Sequence, residues 1–199
     1  MVQATRAQRK SFEEYLNLED ETDNFYELVD GVLTEATPAS PFHSDIAEYL
    51  DRKFYAAIQQ NKLDWRVKRS DTGVRTGEQR SRLPDLAIIH GEDWRSLRQQ
   101  KSKAAVLRVP LLLAVEVVSP GVKNRHRDYV EKLKEYQTRK ISEYWIVDPQ
   151  EEKISIFILE EELFYSEPTM FTNGFVLTSP KLDTLNLTLT CGEVLEAML

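Results

Sequence analysis

The apolar residues of the chain fall into helical and extended patterns that alternate along it. Leu50, Phe54 and Ile58 are four residues apart, which is the spacing of neighbours on one face of an α-helix. The stretch 125–139 has the same character, with Leu133 and Tyr136 on its apolar side. Helices are predicted over residues 11–17, 44–60, 125–139 and 191–199, and residues 94–107 have a pattern too poor to separate a helix from a loop.

Extended segments are indicated by short apolar runs that are rich in β-branched residues. The run 111–118, LLLAVEVV, predicts a central strand that is buried on both faces. Asp30-Gly31 lies between two short alternating stretches and predicts a β-hairpin near the N-terminus. The alternating stretch 153–159 is expected to pair with the strand before it. Other strands are predicted over residues 65–76, 83–89, 142–148, 163–167, 174–179 and 185–190.

This order of elements predicts an α/β (α+β) fold, in which a mixed central β-sheet is flanked by helices. No repeat, low-complexity tract or linker interrupts the chain. Its 199 residues are enough for one domain with a substantial core. We therefore predict a single domain over residues 1–199.

Composition excludes several classes of protein. Hydrophobic residues make up 41% of the chain and charged residues 30%, a globular balance. Cys191 is the only cysteine, so neither an internal disulfide framework nor a cysteine-based zinc site can form. No apolar run approaches the roughly 18 residues of a membrane span. Since residues 1–16 also lack an apolar signal segment, a cytoplasmic location is expected.

The charges are unevenly distributed along the chain. The net charge is −7, which by itself argues against a nucleic-acid partner. Residues 62–140, however, hold 19 Lys and Arg against 10 Asp and Glu, a balance of +9. This asymmetry gives weak support to an anion-facing surface, and a solvated face is the alternative.

Two acids inside apolar strands are the most informative chemical feature. Asp85 opens the strand PDLAIIH, and Glu116 lies within LLLAVEVV. A carboxylate in a buried strand is costly unless it is paired or binds a metal. Together the two acids indicate a site for Mg²⁺ or Mn²⁺, which prefer oxygen ligands. The alternatives are a buried ion pair for Glu116 and simple turn chemistry after proline for Asp85.

The helix after Glu116 carries a third charged candidate. Asp128, Lys132 and Tyr136 are spaced by four and share one face, whereas Glu135 is expected to point away with its neighbours. Lys132 can direct its ammonium group toward the Glu116 strand. Spacing alone favours a snorkelling lysine that is paired with Asp128.

Several short motifs occur in an order that is informative as a set. They are YELVDG, PFH at the start of a helix, PDLAII, EVVSP, D-x-x-x-K-x-x-x-Y on a helix, and EYWIVDP. Between Tyr26 and Leu159 the chain thereby resembles the Uma-two family of restriction-endonuclease-like proteins, which is placed in the PD-(D/E)xK nuclease superfamily. The resemblance implies a restriction-endonuclease-like core.

The resemblance also implies roles for individual residues. Asp85 matches the first acid of the superfamily pattern and Glu116 the second. Val118 stands where the pattern has lysine, and the resemblance implies that Lys132 supplies this charge from the following helix. Glu27 resembles a further acid of the site, with an ordinary hairpin ion pair as an equal alternative.

Other residues of the motifs are weaker candidates. His43 resembles a histidine ahead of the first long helix and is more often a capping or core contact than a metal ligand. Asp128 is an additional candidate because it precedes Lys132 by one helical turn.

The function implied is metal-dependent hydrolysis of phosphodiester bonds, with DNA as the expected substrate. Asp85 and Glu116 would hold Mg²⁺ or Mn²⁺, and Lys132 would complete the catalytic set. The nucleic-acid backbone would be contacted by basic residues of the middle segment: Arg66, Lys68, Arg69, Arg125 and Arg127. Analogy suggests a homodimer. The alternative is an inactive nucleic-acid or protein interaction module on the same fold, which the valine at position 118 and the acidic net charge favour.

Overall fold

The computed structural model describes residues 9–19, 24–100 and 103–197. Within these ranges the helices are α1 (Phe12–Leu16), α2 (Pro41–Gln60), α3 (Gly91–Gln99), α4 (Val122–His126), α5 (Leu133–Thr138), α6 (Pro180–Leu185) and α7 (Cys191–Glu196), and a π-helical segment (Arg127–Lys132) joins α4 to α5. The strands are β1 (Tyr26–Val29), β2 (Val32–Glu35), β3 (Trp65–Arg69), β4 (Gly73–Gly77), β5 (Arg80–Arg82), β6 (Leu86–His90), β7 (Val106–Leu107), β8 (Leu113–Val117), β9 (Glu143–Asp148), β10 (Lys153–Glu160), β11 (Phe164–Tyr165) and β12 (Thr169–Thr172).

The strands form two mixed sheets with helices on their faces. The larger sheet has the order β11-β10-β9-β8-β6-β3, with β12 also paired to β10. The smaller sheet has the order β2-β1-β5-β4-β7. Each sheet contains one parallel pair, β8–β9 in the larger and β4–β7 in the smaller. The predicted mixed sheet, the N-terminal hairpin and the β9–β10 pairing are confirmed, and the second sheet is an addition that the sequence pattern does not predict.

The larger sheet is buried on both faces. Leu113 and Val117 of β8 pack on the face that is covered by α2, α6 and α7. Ala114 and Val118 point to the opposite face, where they pack with Tyr136 of α5. A strand that is covered on both sides must be apolar at successive positions, which explains the continuous run in the sequence.

Helix α2 begins three residues earlier than the pattern of apolar residues predicts. The hydroxyl of Ser40 accepts a hydrogen bond from the backbone N–H of His43, and Pro41 occupies the first helical position. Both are favoured start signals, because Ser satisfies an unpaired N–H and Pro needs no such partner. The early start places His43 in the first turn of the helix.

The prediction of one strand over residues 65–76 is wrong. The chain turns between β3 and β4, where the N–H of Thr72 donates to the carbonyl of Arg69. The two strands then enter different sheets, since β3 pairs with β6 and β4 pairs with β5 and β7. The Ser-Asp-Thr sequence at this point contains turn-forming residues, whose side chains compete with strand pairing.

The C-terminal third also departs from the prediction. Residues 174–179 and 185–190 do not form strands; β12 lies before them and α6 between them. Ser179 caps α6, and Pro180 begins it, so helix-start chemistry prevails over a weak apolar alternation. Of the segment 94–107, residues up to 99 belong to α3 and 106–107 to β7. Residues 101–102 of that segment and 198–199 of the predicted terminal helix lie outside the described residues.

The predicted helix over 125–139 is present but irregular. Helical structure runs from residue 122 to 138, and its middle six residues form the π-helical segment. A π-helical turn contains more residues than an α-helical turn and often lies at a functional site. Asp128 and Lys132, at its two ends, are both buried. None of the described helices combines the length and the apolar character that a membrane span requires.

The hairpin turn between β1 and β2 provides a test of the local backbone. Gly31 has a φ of +80°, and a Cβ there would lie 3.0 Å from Cβ of Arg9 and 3.1 Å from the carbonyl of Lys10. Gly174 has a φ of +88° with no atom within 4 Å of such a Cβ. We expect Gly174→Ala to lower the free energy of unfolding by about 1 kcal/mol through backbone strain alone. Gly31→Ala should lower the free energy of unfolding distinctly more than Gly174→Ala does, because it adds close contacts to the backbone strain. Equal midpoints of the two variants in urea unfolding would contradict this effect of crowding at the hairpin.

Candidate active site

Asp85 and Glu116 lie side by side on neighbouring antiparallel strands. Leu86 pairs with Val115 in the β6–β8 register, so the next position of the register sets Asp85 opposite Glu116. Side chains alternate between the faces of a strand, and both acids therefore point toward the helical run 122–138. The sequence prediction that neighbouring strands bring the two carboxylates together agrees with this geometry.

Asp85 is held by a backbone group and by a histidine. Its Oδ2 accepts a hydrogen bond of 2.7 Å from the N–H of Val117 and lies 3.0 Å from Nε2 of His43. Burial lowers the pKa of His43, but the hydrogen bond and the charge of Asp85 outweigh it, so the pKa is raised. Oδ1 of Asp85 accepts no hydrogen bond from the described residues, and the side chain is 18% exposed. One oxygen of this carboxylate is thus fixed and the other is open to a ligand.

Glu116 is enclosed by two donors from the helical run. Its Oε2 lies 2.6 Å from Nζ of Lys132, and its Oε1 accepts a hydrogen bond of 2.6 Å from the hydroxyl of Tyr136. The residue is 1% exposed. Burial raises the pKa of Glu116 and the nearby Asp85 and Asp128 add to this, whereas the charge of Lys132 opposes it and favours the ionised carboxylate.

Lys132 is surrounded by carboxylates rather than by solvent. It is 3% exposed, and its Nζ lies 2.6 Å from Glu116, 3.5 Å from Glu27 and 4.0 Å from Asp128. Burial lowers its pKa, but the surrounding negative charges outweigh burial and raise the pKa above its ordinary value. Lys132 is therefore a buried ammonium ion, not the snorkelling lysine that spacing alone favours.

Glu27 links the hairpin to the same cluster. Its Oε2 is paired with Arg82 at 2.9 Å, and its Oε1 accepts a hydrogen bond from the N–H of Leu83. Burial raises the pKa of Glu27, but the charges of Lys132 and Arg82 outweigh it and lower the pKa. The structure contains the hairpin ion pair and also brings Glu27 to 3.5 Å from Nζ of Lys132, whereas a role of Glu27 in the site stays a prediction.

Glu135 corrects the expectation that it points away from the apolar side. It is buried, and its oxygens accept hydrogen bonds from Arg82 at 2.6 and 2.9 Å, from Arg80 at 3.0 Å and from Thr76 at 2.6 Å. The π-helical segment changes the phase of the helix ahead of this residue, which a regular helical projection does not include. Arg82 and Glu135 consequently join the smaller sheet to helix α5.

Asp128 lies four residues before Lys132, and its Oδ1 is 4.0 Å from Nζ of Lys132. Its carboxylate is fully buried and pairs with Arg127 at 2.8 Å, and its backbone carbonyl accepts a hydrogen bond of 2.9 Å from the hydroxyl of Tyr144. Glu27 and Asp128 thus each have an arginine partner in addition to the shared Lys132.

The five basic residues predicted to contact a nucleic-acid backbone do not all lie on one face of the larger sheet, and four of them have partners within the protein. Arg125 pairs with Asp148 and Glu151, and Arg127 pairs with Asp128. Side chains on β3 alternate between the two faces of the sheet, so Arg69 points to the face opposite that of Arg66 and Lys68.

The two β3 residues on the other face, Arg66 and Lys68, also have partners within the protein. Lys68 lies over the ring of Trp94 at 3.6 Å, and Arg66 lies 3.8 Å from Asp64. Burial lowers the pKa of Lys68.

The acids fit a divalent metal ion by their chemistry. Carboxylate oxygens suit Mg²⁺ and Mn²⁺, and Mg²⁺ commonly uses one or two carboxylates, with water and substrate phosphate completing its shell. Asp85 offers the unshared Oδ1 and Glu116 lies beside it. In the described part of the chain, no group of three or more His, Cys, Asp or Glu side chains is arranged to hold a metal.

Arg82, Glu135 and Tyr136 were not identified as parts of the site from the sequence. The position of Tyr136 four residues after Lys132 is a signal that could have found it. Arg82 lies two residues ahead of Pro84-Asp85, but this spacing alone carries no chemical implication. Glu135 depends on the phase of an irregular helix.

A restriction-endonuclease-like nuclease fold is the class that this arrangement defines, with two acids on adjacent strands and a lysine from the helix that covers them. A crystal structure described as that of a "putative nuclease" from Anabaena variabilis is similar to this chain at 14% identity, with a TM-score of 0.73 over 95% of this chain and 99% of that chain. The family model described as "putative restriction endonuclease" matches residues 12–190, so the chain belongs to the Uma2 family. No curated protein matches it.

The balance of charge around Lys132 yields a prediction on stability. Lys132→Met leaves Glu116 buried without a cation, and we expect it to lower the free energy of unfolding by about 3–5 kcal/mol. In Lys132→Met/Glu116→Gln the remaining carboxylates keep their arginine partners, and Gln still offers an oxygen to Tyr136. The double variant should recover most of the loss in urea unfolding. A double variant as unstable as the sum of the single variants would contradict the pairing.

Glu135 yields a prediction on acid stability. Burial raises its pKa, but its hydrogen bonds and charge interactions with Arg82 outweigh burial, so the folded pKa lies below the ordinary 4.5. Its contribution is therefore present above pH 4.5 and is lost as the pH falls through the lower folded value. At pH 7 we expect Glu135→Gln to cost about 3 kcal/mol, and the difference from wild type should shrink below pH 4. Glu48→Gln, in an exposed pair with Arg52, is the control and should change stability little at either pH.

Proposed function

We propose that this protein is a metal-dependent nuclease that hydrolyses phosphodiester bonds in nucleic acid, with DNA as the expected substrate. The observation that carries the proposal is the placement of Asp85, Glu116 and Lys132 on one face of the sheet, with Nζ of Lys132 2.6 Å from Glu116. Membership of the Uma2 family and the similarity to the Anabaena structure support a nuclease-like fold. The metal and the substrate are parts of the proposal.

The acids would serve as the metal ligands. Asp85 would contribute its open Oδ1, and Glu116 would contribute a carboxylate whose orientation is already fixed. A bound Mg²⁺ or Mn²⁺ supplies a water of lowered pKa and neutralises charge on the scissile phosphate. His43 and the N–H of Val117 would keep the plane of the Asp85 carboxylate constant during binding.

Lys132 would supply the positive charge that Val118 cannot. Position 118 points to the same face as Glu116 and is buried among apolar residues. An ammonium group that approaches from the helix reaches the same carboxylate without interrupting the strand. In the reaction it would orient the attacking water or stabilise charge that develops on the phosphate.

The alternative function is an inactive interaction module for nucleic acid or protein on the same fold. It is favoured by the enclosure of Glu116, both of whose oxygens are occupied by protein donors. In that case Lys132 would act as the permanent partner of Glu116, and no metal would compete with it.

Cleavage of a mixed panel of substrates tests the proposal. Plasmid, single-stranded DNA and structured RNA would be incubated with Mg²⁺ or Mn²⁺ and with wild type, Asp85→Asn or Glu116→Gln. We expect metal-dependent cutting by wild type and a loss of about 100-fold or more in both variants, since removing a ligand should exceed the 10–100-fold effect of an outer-shell partner. Glu48→Gln replaces an exposed carboxylate and should cut as the wild type does.

The outcomes separate the two candidate functions. Cutting that persists in Asp85→Asn and Glu116→Gln would exclude these acids as the catalytic ligands. Binding of any of the three substrates without cutting by wild type, at an affinity that metal does not change, would favour the inactive module.

A further inference from the structure

The hydroxyl of Tyr136 is committed to one oxygen of Glu116. It donates a hydrogen bond of 2.6 Å to Oε1, and the whole tyrosine is buried. A buried donor that loses its acceptor carries the full cost of desolvation, and this contact therefore resists exchange.

The ring of Tyr136 is fixed by packing that is independent of the hydroxyl. Its centroid lies 5.0 Å from that of Tyr144 in an edge-to-face arrangement at 81°. Tyr144 is itself fully buried, and its hydroxyl holds the backbone carbonyl of Asp128 in the π-helical segment. The sheet thus fixes the helix through Tyr144, and the helix fixes Glu116 through Tyr136.

Tyr136 and Lys132 act on Glu116 in different ways. Lys132 lies within 4.0 Å of three carboxylates, so its charge is shared over Glu27, Glu116 and Asp128. A hydroxyl group has one proton and can donate one hydrogen bond, here to a single acceptor oxygen. The ammonium therefore sets the charge of the cluster, whereas the hydroxyl determines the orientation of a single carboxylate.

We propose that Tyr136 is a positioning residue for a divalent cation of the Mg²⁺ and Mn²⁺ class, and that it acts by holding the carboxylate of Glu116 in its binding orientation. This inference rests on the proposed metal site. Hydrogen bonds to ligating carboxylates commonly tune metal affinity, because they restrict the ligand before the metal arrives. Tyr136 itself does not bind the metal.

Direct titration with Mn²⁺ tests this role without relying on cleavage. The fraction of free Mn²⁺ would be followed by its electron paramagnetic resonance signal in wild type and in Tyr136→Phe, which removes the hydroxyl and keeps the ring. We expect the dissociation constant to rise by about 10–100-fold. Tyr165→Phe is the matched control: its hydroxyl is also buried but donates to the carbonyl of Ile141, and its affinity should equal that of wild type.

A double-mutant cycle distinguishes positioning from general packing. If Tyr136 acts through Glu116, Tyr136→Phe should add no further loss of Mn²⁺ affinity in a Glu116→Gln background. A loss of the same size in both backgrounds, or an equal loss in Tyr165→Phe, would overturn the inference.

Further outcomes separate this inference from the proposed function. Wild-type affinity in Tyr136→Phe would overturn the positioning role and leave the nuclease proposal standing. Failure of wild type to bind Mn²⁺ would overturn both.

A second substitution keeps the test open if Tyr136→Phe does not fold. In that case 4-aminophenylalanine would be incorporated at position 136, because it retains the ring and an N–H donor. Its weaker hydrogen bond should reduce Mn²⁺ affinity by less than the tenfold lower limit for loss of the contact. A loss of tenfold or more despite the retained donor would overturn the inference.

Discussion

The buried ammonium group of Lys132 is the charge on which the arrangement of this protein depends. Three carboxylates from three different parts of the chain converge on it: Glu27 from the hairpin, Glu116 from the central strand and Asp128 from the helical run. Buried carboxylates repel one another and are costly without a cation. The ammonium group therefore offsets the charge of carboxylates from both sheets and from the helix over them.

Around that centre the other charges are paired locally. Arg82 connects Glu27 to Glu135, and Arg127 neutralises Asp128. These pairs fix the scaffold, whereas Asp85 keeps one oxygen free and is the more exposed of the two strand acids. This difference between the paired groups and Asp85 supports the proposal that the chemistry takes place at the start of β6, beside β8.

Much of this architecture could be predicted from the sequence because its signals are local. The apolar run around Glu116, the Asp-Gly turn and the helical spacing of Leu50, Phe54 and Ile58 each report on one element, and the structure contains them all. The placement of the Lys132 charge beside Glu116 is predicted by the resemblance to a family. Spacing alone favours a snorkelling lysine that is paired with Asp128. The second sheet and the burial of Glu135 could not be predicted, because they depend on pairing between distant segments and on an irregular turn in a helix.

The π-helical segment divides the covering helix into two halves that are anchored separately. Arg125 before it and Tyr129 within it are bound to Asp148 at the end of β9. After it, Glu135 and Tyr136 are bound to Arg82 and Glu116. In an α-helix each residue advances the face by about 100°, so a change of one residue in length would rotate one half against the other. Within this family, the length of that segment should consequently be constrained more strictly than the identity of the residues on its outer surface.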